Sequence, residues 1–139
     1  MSADGGMICF TVPGEPLAFA RAGRNGKFSF TPAPQRSFMG AVKLFAQQAM
    51  AGAGPLAGPI FLDVRATYLH PASWSARKKA ATLYKTSRPD ADNLAKLVKD
   101  ALSTVAYADD AQICFLSASK RYGPVAQLDV SIWPAVSEI

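Results

Sequence analysis

Arg88-Pro89-Asp90-Ala91-Asp92-Asn93-Leu94-Ala95-Lys96-Leu97-Val98-Lys99-Asp100-Ala101-Leu102, continuing through Tyr107-Ala108-Asp109-Asp110-Ala111-Gln112-Ile113, is the stretch on which the reading of this chain turns. Leu94, Leu97, Val98 and Leu102 recur at helical spacing, which predicts an amphipathic helix over 92–103 with Asp90 or Asp92 at its start. Pro89 keeps Arg88 out of helical geometry and holds an extended lead-in. The stretch also contains five of the ten acidic residues of the chain, Asp90, Asp92, Asp100, Asp109 and Asp110, in a protein whose net charge is +5. Two carboxylates about 4 Å apart repel by on the order of 4 kcal/mol at an effective dielectric near 20. A fold that gathers them needs a compensating cation: a divalent metal, Lys96, or both.

Working outward, the segments on either side alternate between strand and helix. Met7 to Val12 is a short β-prone run closed by Pro13-Gly14. Residues 15–34 hold several prolines, Phe19, Phe28 and Phe30 among basic residues, and the turn signal Asn25-Gly26, so they read as a ribbon or long loop. Arg36 to Met50 places Phe38, Val42, Phe45 and Ala49 at helical spacing before a Gly- and Pro-rich stop. Ile60 to His70 alternates, with Ile60, Leu62, Val64, Ala66 and Tyr68 on one side, and predicts a strand ending at Pro71. Ser73 to Leu83 reads as a short helix. Ala111 to Tyr122 and Val125 to Trp133 read as two strands, joined as a hairpin at Gly123-Pro124. The expected fold class is α+β (mixed α/β): a single compact domain in which a small β-sheet packs with about three helices.

Composition limits the function classes. At 139 residues and 50% hydrophobic, the chain fits one domain with a proper core. No apolar run reaches the length of a membrane span, and residues 1–6 lack a signal-peptide pattern and read as a frayed, disordered terminus. These features point to a cytoplasmic protein. Cys9 and Cys114 sit in apolar runs and read as buried free thiols, with a disulfide between neighbouring core strands left open. From Arg21 to Lys43 there are five basic residues and no acid, and from Arg65 to Arg88 six more and no acid. Two basic segments upstream of an acidic cluster suggest a polyanion held against a metal site.

The acidic residues then divide by geometry. In extended backbone Asp90 and Asp92 point the same way and can share one ion, although a single aspartate there is equally a helix cap. Lys96 lies one turn beyond Asp92 on the same face: either an exposed helix pair worth about 0.2–0.5 kcal/mol, or an ammonium aimed at a scissile phosphate. Lys99 reads as a solvated charge. Asp100 is eight residues past Asp92, roughly 12 Å along the helix, too far to share its ion, and takes a structural role. Only one of Asp109 and Asp110 is expected in the ligand set. All-oxygen ligation favours Mg²⁺, with Mn²⁺ as the alternative. His70 is the only histidine, which excludes a multi-histidine zinc site, and its place before Pro71 is that of a structural residue.

This ordered motif, Arg88-Pro89-Asp90-Ala91-Asp92-Asn93-Leu94-Ala95-Lys96, Asp100-Ala101-Leu102 and Tyr107-Ala108-Asp109-Asp110-Ala111-Gln112-Ile113, resembles the RusA family of Holliday-junction resolvases. The resemblance implies one RusA-like endonuclease domain over 1–139 that acts as a homodimeric, Mg²⁺-dependent endodeoxyribonuclease on four-way DNA junctions. It also implies a bacterial setting, with phages and prophages as frequent sources. It implies that Asp90, Asp92 and Asp110 hold the metal, that Lys96 is an essential basic partner and that Asp109 is an accessory. DNA contacts are expected at Arg21, Arg24, Lys27, Lys85 and Arg88. The rivals are a less selective metal-dependent nuclease acting on flap DNA or RNA, and a non-catalytic basic DNA-binding protein whose aspartates only cap helices.

Overall fold

The structure, a computed structural model, describes residues 6–18, 23–25, 28–30 and 33–135. The terminus expected at 1–6, apart from Gly6, and the DNA contacts expected at Arg21 and Lys27 lie outside the described residues; for Arg24 only the backbone is described. The elements are β1 (Ile8–Pro13), β2 (Gly23–Asn25), β3 (Phe28–Phe30), α1 (Ala33–Met50), β4 (Ile60–Tyr68), α2 (Ala76–Ala81), α3 (Ala91–Leu102), a single 3-10 turn (Asp110–Gln112), β5 (Ile113–Tyr122) and β6 (Gln127–Pro134). Three helices and a four-stranded mixed sheet make an α+β fold in one compact domain.

The sheet runs in the order β1-β6-β4-β5. β4 pairs parallel to β5 and antiparallel to β6, and β1 pairs antiparallel to β6. The alternation of β4 decides which face is covered: Ile60, Leu62, Val64, Ala66 and Tyr68 are all buried, and the intervening residues are not. Against this face lie α1, through Phe38, Val42 and Ala46, and α3, through Leu94, Leu97, Val98 and Leu102. The apolar stripe of α3 is the expected one, with Ala95 and Ala101 added. Along α1 the buried stripe passes through Ala46, and Ala49 is exposed.

Three expectations need correction. β5 and β6 are not a hairpin, because β4 lies between them. Residues 123–126 instead step across the end of β4, and the Gly123 amide donates to the Tyr68 carbonyl at 2.9 Å. A Cβ at Gly123 would stand 2.7 Å from Thr67 Cγ2, so the crossing needs a residue without a side chain there. Second, both cysteines are exposed, not buried. They lie on the two opposite edge strands, about 14 Å apart at three strand spacings, and cannot form a disulfide. Third, the helix expected over 73–83 is only Ala76–Ala81, capped by the Ser75 side chain accepting from the Lys78 amide at 3.1 Å.

The basic region at 23–30 forms the expected ribbon. Its register pairs Asn25 with Phe28, and positions 26 and 27 lie outside the described residues. No helix among the described residues is long and apolar enough to cross a membrane.

Candidate active site

Two elements carry the acidic groups: the start of α3, and the 3-10 turn between α3 and β5. Asp90 is extended (φ −72°, ψ 145°) after a cis Arg88–Pro89 peptide and occupies the N-cap position of α3. Its carbonyl accepts from the amides of Asn93 and Leu94, each at 3.1 Å, yet its carboxylate makes no capping hydrogen bond. Asp92, in the first turn, accepts from the Asn93 amide at 3.1 Å. Both carboxylates are exposed and sit at the N-terminal end of α3.

The second pair divides its work. Asp109 is a capping residue: its Oδ1 accepts from the Ala111 amide at 2.9 Å, and Gln112 Oε1 accepts in return from the Asp109 and Ala108 amides at 3.0 and 2.8 Å. Gln112 Nε2 then donates to the carbonyls of Leu56 and Gly58 at 3.0 and 2.9 Å, fastening the turn to the chain that enters β4. Asp110 is half-buried, and its Oδ1 is buried with no hydrogen-bond partner. An unsatisfied buried acceptor costs about 1–3 kcal/mol, so its persistence calls for a reason.

Asp110 lies beside the Tyr107 hydroxyl. Tyr107 is completely buried and donates to the Lys99 carbonyl at 2.9 Å. Burial raises this hydroxyl above the ordinary value of 10.0; the Asp110 charge and hydrogen bonding raise it further, and the Asp100 charge adds to them. Because the single hydroxyl proton is given to the Lys99 carbonyl, the influence of Asp110 is mainly that of a neighbouring negative charge. Tyr107 therefore ties Asp110 to the second half of α3, whereas Asp90 and Asp92 stand at its first turn. Asp92, Lys96 and Asp100 follow one another at four-residue intervals and are all exposed, so Lys96 lies midway between the two ends of the acidic region.

Among the described residues, no three His, Cys, Asp or Glu side chains form a group able to hold a metal ion, so the aspartates do not close into a cage. Beside Asp90 is a groove of about 300 Å³ lined by Glu15, Pro16, Leu17, Ala18, Gln35, Arg88, Pro89 and Asn93. Gln35 Oε1 is buried there without a partner. Sequence reasoning missed both Glu15 and Gln35, because nothing local marks them: the fold brings them together by returning the β1 exit and the start of α1 to the start of α3. The Tyr68 hydroxyl holds the β1 exit in place by donating to the Pro16 carbonyl at 2.9 Å. The Asp109 cap, by contrast, carries a sequence signal in the Asp-x-x-Gln spacing to Gln112.

Of the basic residues, Arg88 is exposed at the rim of the groove. Lys85 Nζ donates to Ser87 Oγ at 2.9 Å and lies 4.9 Å from the Tyr68 ring centroid. His70 is structural: Nε2 is 2.8 Å from the Thr82 carbonyl, and its ring stacks on Tyr122 at 4.5 Å.

Residues 13–133 match the family described as Endodeoxyribonuclease RusA. An uncharacterized protein of Bacillus subtilis (strain 168), YqaN, is 38% identical over 135 residues, which cover 90% of this chain and 94% of that protein.

Proposed function

The chain belongs to the RusA endodeoxyribonuclease family, and on that premise we propose that it hydrolyses DNA phosphodiesters at four-way junctions with the help of a divalent cation held by Asp90, Asp92 and Asp110. The observation that carries this reading is the unequal use of the acidic residues. Asp109 spends its carboxylate on a cap, whereas Asp90 leaves its capping bond unmade and Asp110 keeps an oxygen buried without a partner. If the aspartates served only as caps, those two oxygens would be engaged. The donor set, carboxylate oxygens alone, suits Mg²⁺ or Mn²⁺, and it has room for water and a phosphate oxygen.

When bound, such an ion polarises the phosphodiester and lowers the pKa of an attacking water. The remaining work falls to the chain. The first turn of α3 directs its amide groups and positive dipole end towards Asp90 and Asp92, which steadies their charge. Lys96, exposed on the same face as Asp92, provides positive charge for the phosphate as negative charge develops on it. Tyr107, through the Lys99 carbonyl, fixes the end of α3 against the turn that carries Asp110. Asp109 and Gln112 set the orientation of that turn, which makes Asp109 a positioning residue. Arg21, Arg24, Lys27, Lys85 and Arg88 contribute phosphate contacts. Paired nicks on opposite strands need two such sites, so the acting form is a homodimer.

The test is cleavage of a synthetic four-way junction and of linear duplex of the same sequence, each with Mg²⁺ and with chelator. Mg²⁺-dependent cleavage confined to the junction is expected. Equal cleavage of both substrates would identify a less selective nuclease, and no cleavage of either would contradict the reading.

A further inference from the structure

α2, residues 82–88 and the end of β5 form one basic surface that reaches the groove at Arg88. Neither 71–89 nor 113–126 contains an acid. The segment after α2 is laid against the end of β5: the Tyr122 amide donates to the Leu83 carbonyl at 2.7 Å and the Lys85 amide to the Lys120 carbonyl at 3.2 Å. Lys85 and Lys120 thereby stand on the Tyr122 side of the sheet, and Lys78 joins them through Trp74, whose ring meets that of Tyr122 at 5.4 Å, whereas Arg121, paired with Tyr84, faces the opposite side.

The positions of the three lysines are held without ion pairs. Lys78 Nζ lies 4.2 Å from the Trp74 ring centroid, and Lys85 Nζ lies 5.7 Å from that of Tyr122. Lys120 Nζ donates to the Ser87 carbonyl at 2.8 Å, and Lys85 Nζ to Ser87 Oγ. Aromatic rings and neutral oxygens steady these cations and leave their charge uncompensated. The salt bridge from Arg65 to Asp63, at 2.9 Å, lies elsewhere on the sheet. The surface is also continuous with the proposed site, since Ser87, which receives both lysines, is three residues from Asp90, at most about 10 Å of extended chain.

We propose that Lys78, Lys85 and Lys120 form a phosphate track that holds the backbone of one DNA duplex arm and leads it towards Asp90. The proposal rests on the function proposed above and adds to it a surface separate from the basic ribbon at 23–30. Fixed cations with unspent charge, arrayed along a surface rather than enclosing a pocket, suit a repeating anion better than a small one. Each phosphate contact contributes about 0.9 to the slope of log affinity against log salt.

The experiment measures junction binding by fluorescence anisotropy, in chelator so that nothing is cut, over a range of salt concentrations. It compares wild type with the triple variant Lys78→Ala, Lys85→Ala, Lys120→Ala and with the charge-preserving variant Lys78→Arg, Lys85→Arg, Lys120→Arg. The track predicts weaker binding by the alanine variant and a slope shallower by about 2.7, three contacts at about 0.9 each, with the wild-type slope kept in the charge-preserving variant. If the alanine variant does not fold, Lys78→Ala alone, on exposed α2, carries the test with a slope change of about 0.9. An unchanged slope in a folded alanine variant, while wild type binds the junction, overturns the track and leaves the proposed function standing. Wild type that binds no junction overturns both. Tighter binding to RNA than to the junction, lost in the alanine variant, reassigns the surface and overturns the proposal.

Discussion

Replacing Asp110 with Asn separates stability from function at one atom. Asp110 Oδ1 is buried without a partner among the protein's own groups, and its charge lies beside a tyrosine hydroxyl that is itself buried. Asp110→Asn keeps the size of the side chain, removes that charge, and adds an amide N–H able to donate to the Tyr107 oxygen, whose own proton is given to the Lys99 carbonyl. One net hydrogen bond contributes about 0.5–1.5 kcal/mol. A gain of about 1 kcal/mol raises the midpoint of unfolding by roughly 4 °C in a domain of this length. Divalent metal acts the other way, since a ligand at about 100 times its dissociation constant stabilises the folded state by about 2.7 kcal/mol, an effect that needs the full set of ligands. Thermal unfolding with chelator and with saturating Mg²⁺ should therefore show the order reversing: the variant more stable without metal, wild type more stable with it. The variant should also fail to cleave junctions. A variant that is less stable in chelator, responds to Mg²⁺ as wild type does, and still cleaves would refute the role given to Asp110.

Three other predictions follow from neighbouring features. Asp109→Ala loses the capping box of the 3-10 turn and should destabilise the protein by about 1 kcal/mol by chemical denaturation; because the proposed function gives Asp109 a positioning role outside the ligand set, measurable cleavage should survive, and a loss as complete as that of Asp92→Asn would contradict the assignment. Gly123→Ala puts a methyl 2.7 Å from Thr67 Cγ2, and overpacking of this kind typically costs about 1–3 kcal/mol, read as a lower denaturation midpoint, whereas an unchanged midpoint would show that the β5–β6 crossing is looser than described. Because folding raises the proton affinity of Tyr107 above the ordinary 10.0, its contribution to stability is fully present below about pH 10 and declines as pH rises towards its folded-state value. Tyrosinate absorbance should accordingly show one tyrosine titrating late, and earlier in Asp110→Asn, though still above the ordinary value because burial remains.

The parts of this fold set by local periodicity were legible in the sequence. α3 was readable because Leu94, Leu97, Val98 and Leu102 keep helical spacing, and β4 because five alternate residues point to one face; all nine are buried as expected. What local pattern does not carry is which strands become neighbours. Gly123-Pro124 signals a turn, but whether a turn closes a hairpin or steps over a strand depends on the end of β4 and on the contact with Thr67, both distant in sequence. The same gap explains the cysteines: β1 and β5 are edge strands of a sheet covered on one face, so an apolar run there leaves alternate side chains outside. At the site, the spacing of the motif marked Asp90, Asp92, Lys96 and the Asp109–Asp110 pair. The different use of that pair depends on Gln112 reaching Leu56 and Gly58, and on Tyr107 reaching Lys99, and Glu15 and Gln35 join the groove only through tertiary structure.

The central claim is that Asp90, Asp92 and Asp110 hold one cation between them, and anomalous diffraction from crystals soaked in Mn²⁺ tests it most directly. The account predicts a peak about 2.0–2.2 Å from carboxylate oxygens of all three, with side-chain movement at the start of α3 or in the 3-10 turn closing the set. It also predicts that the peak is lost in Asp110→Asn. A peak held by other residues, or none at a Mn²⁺ concentration that supports cleavage, would contradict it.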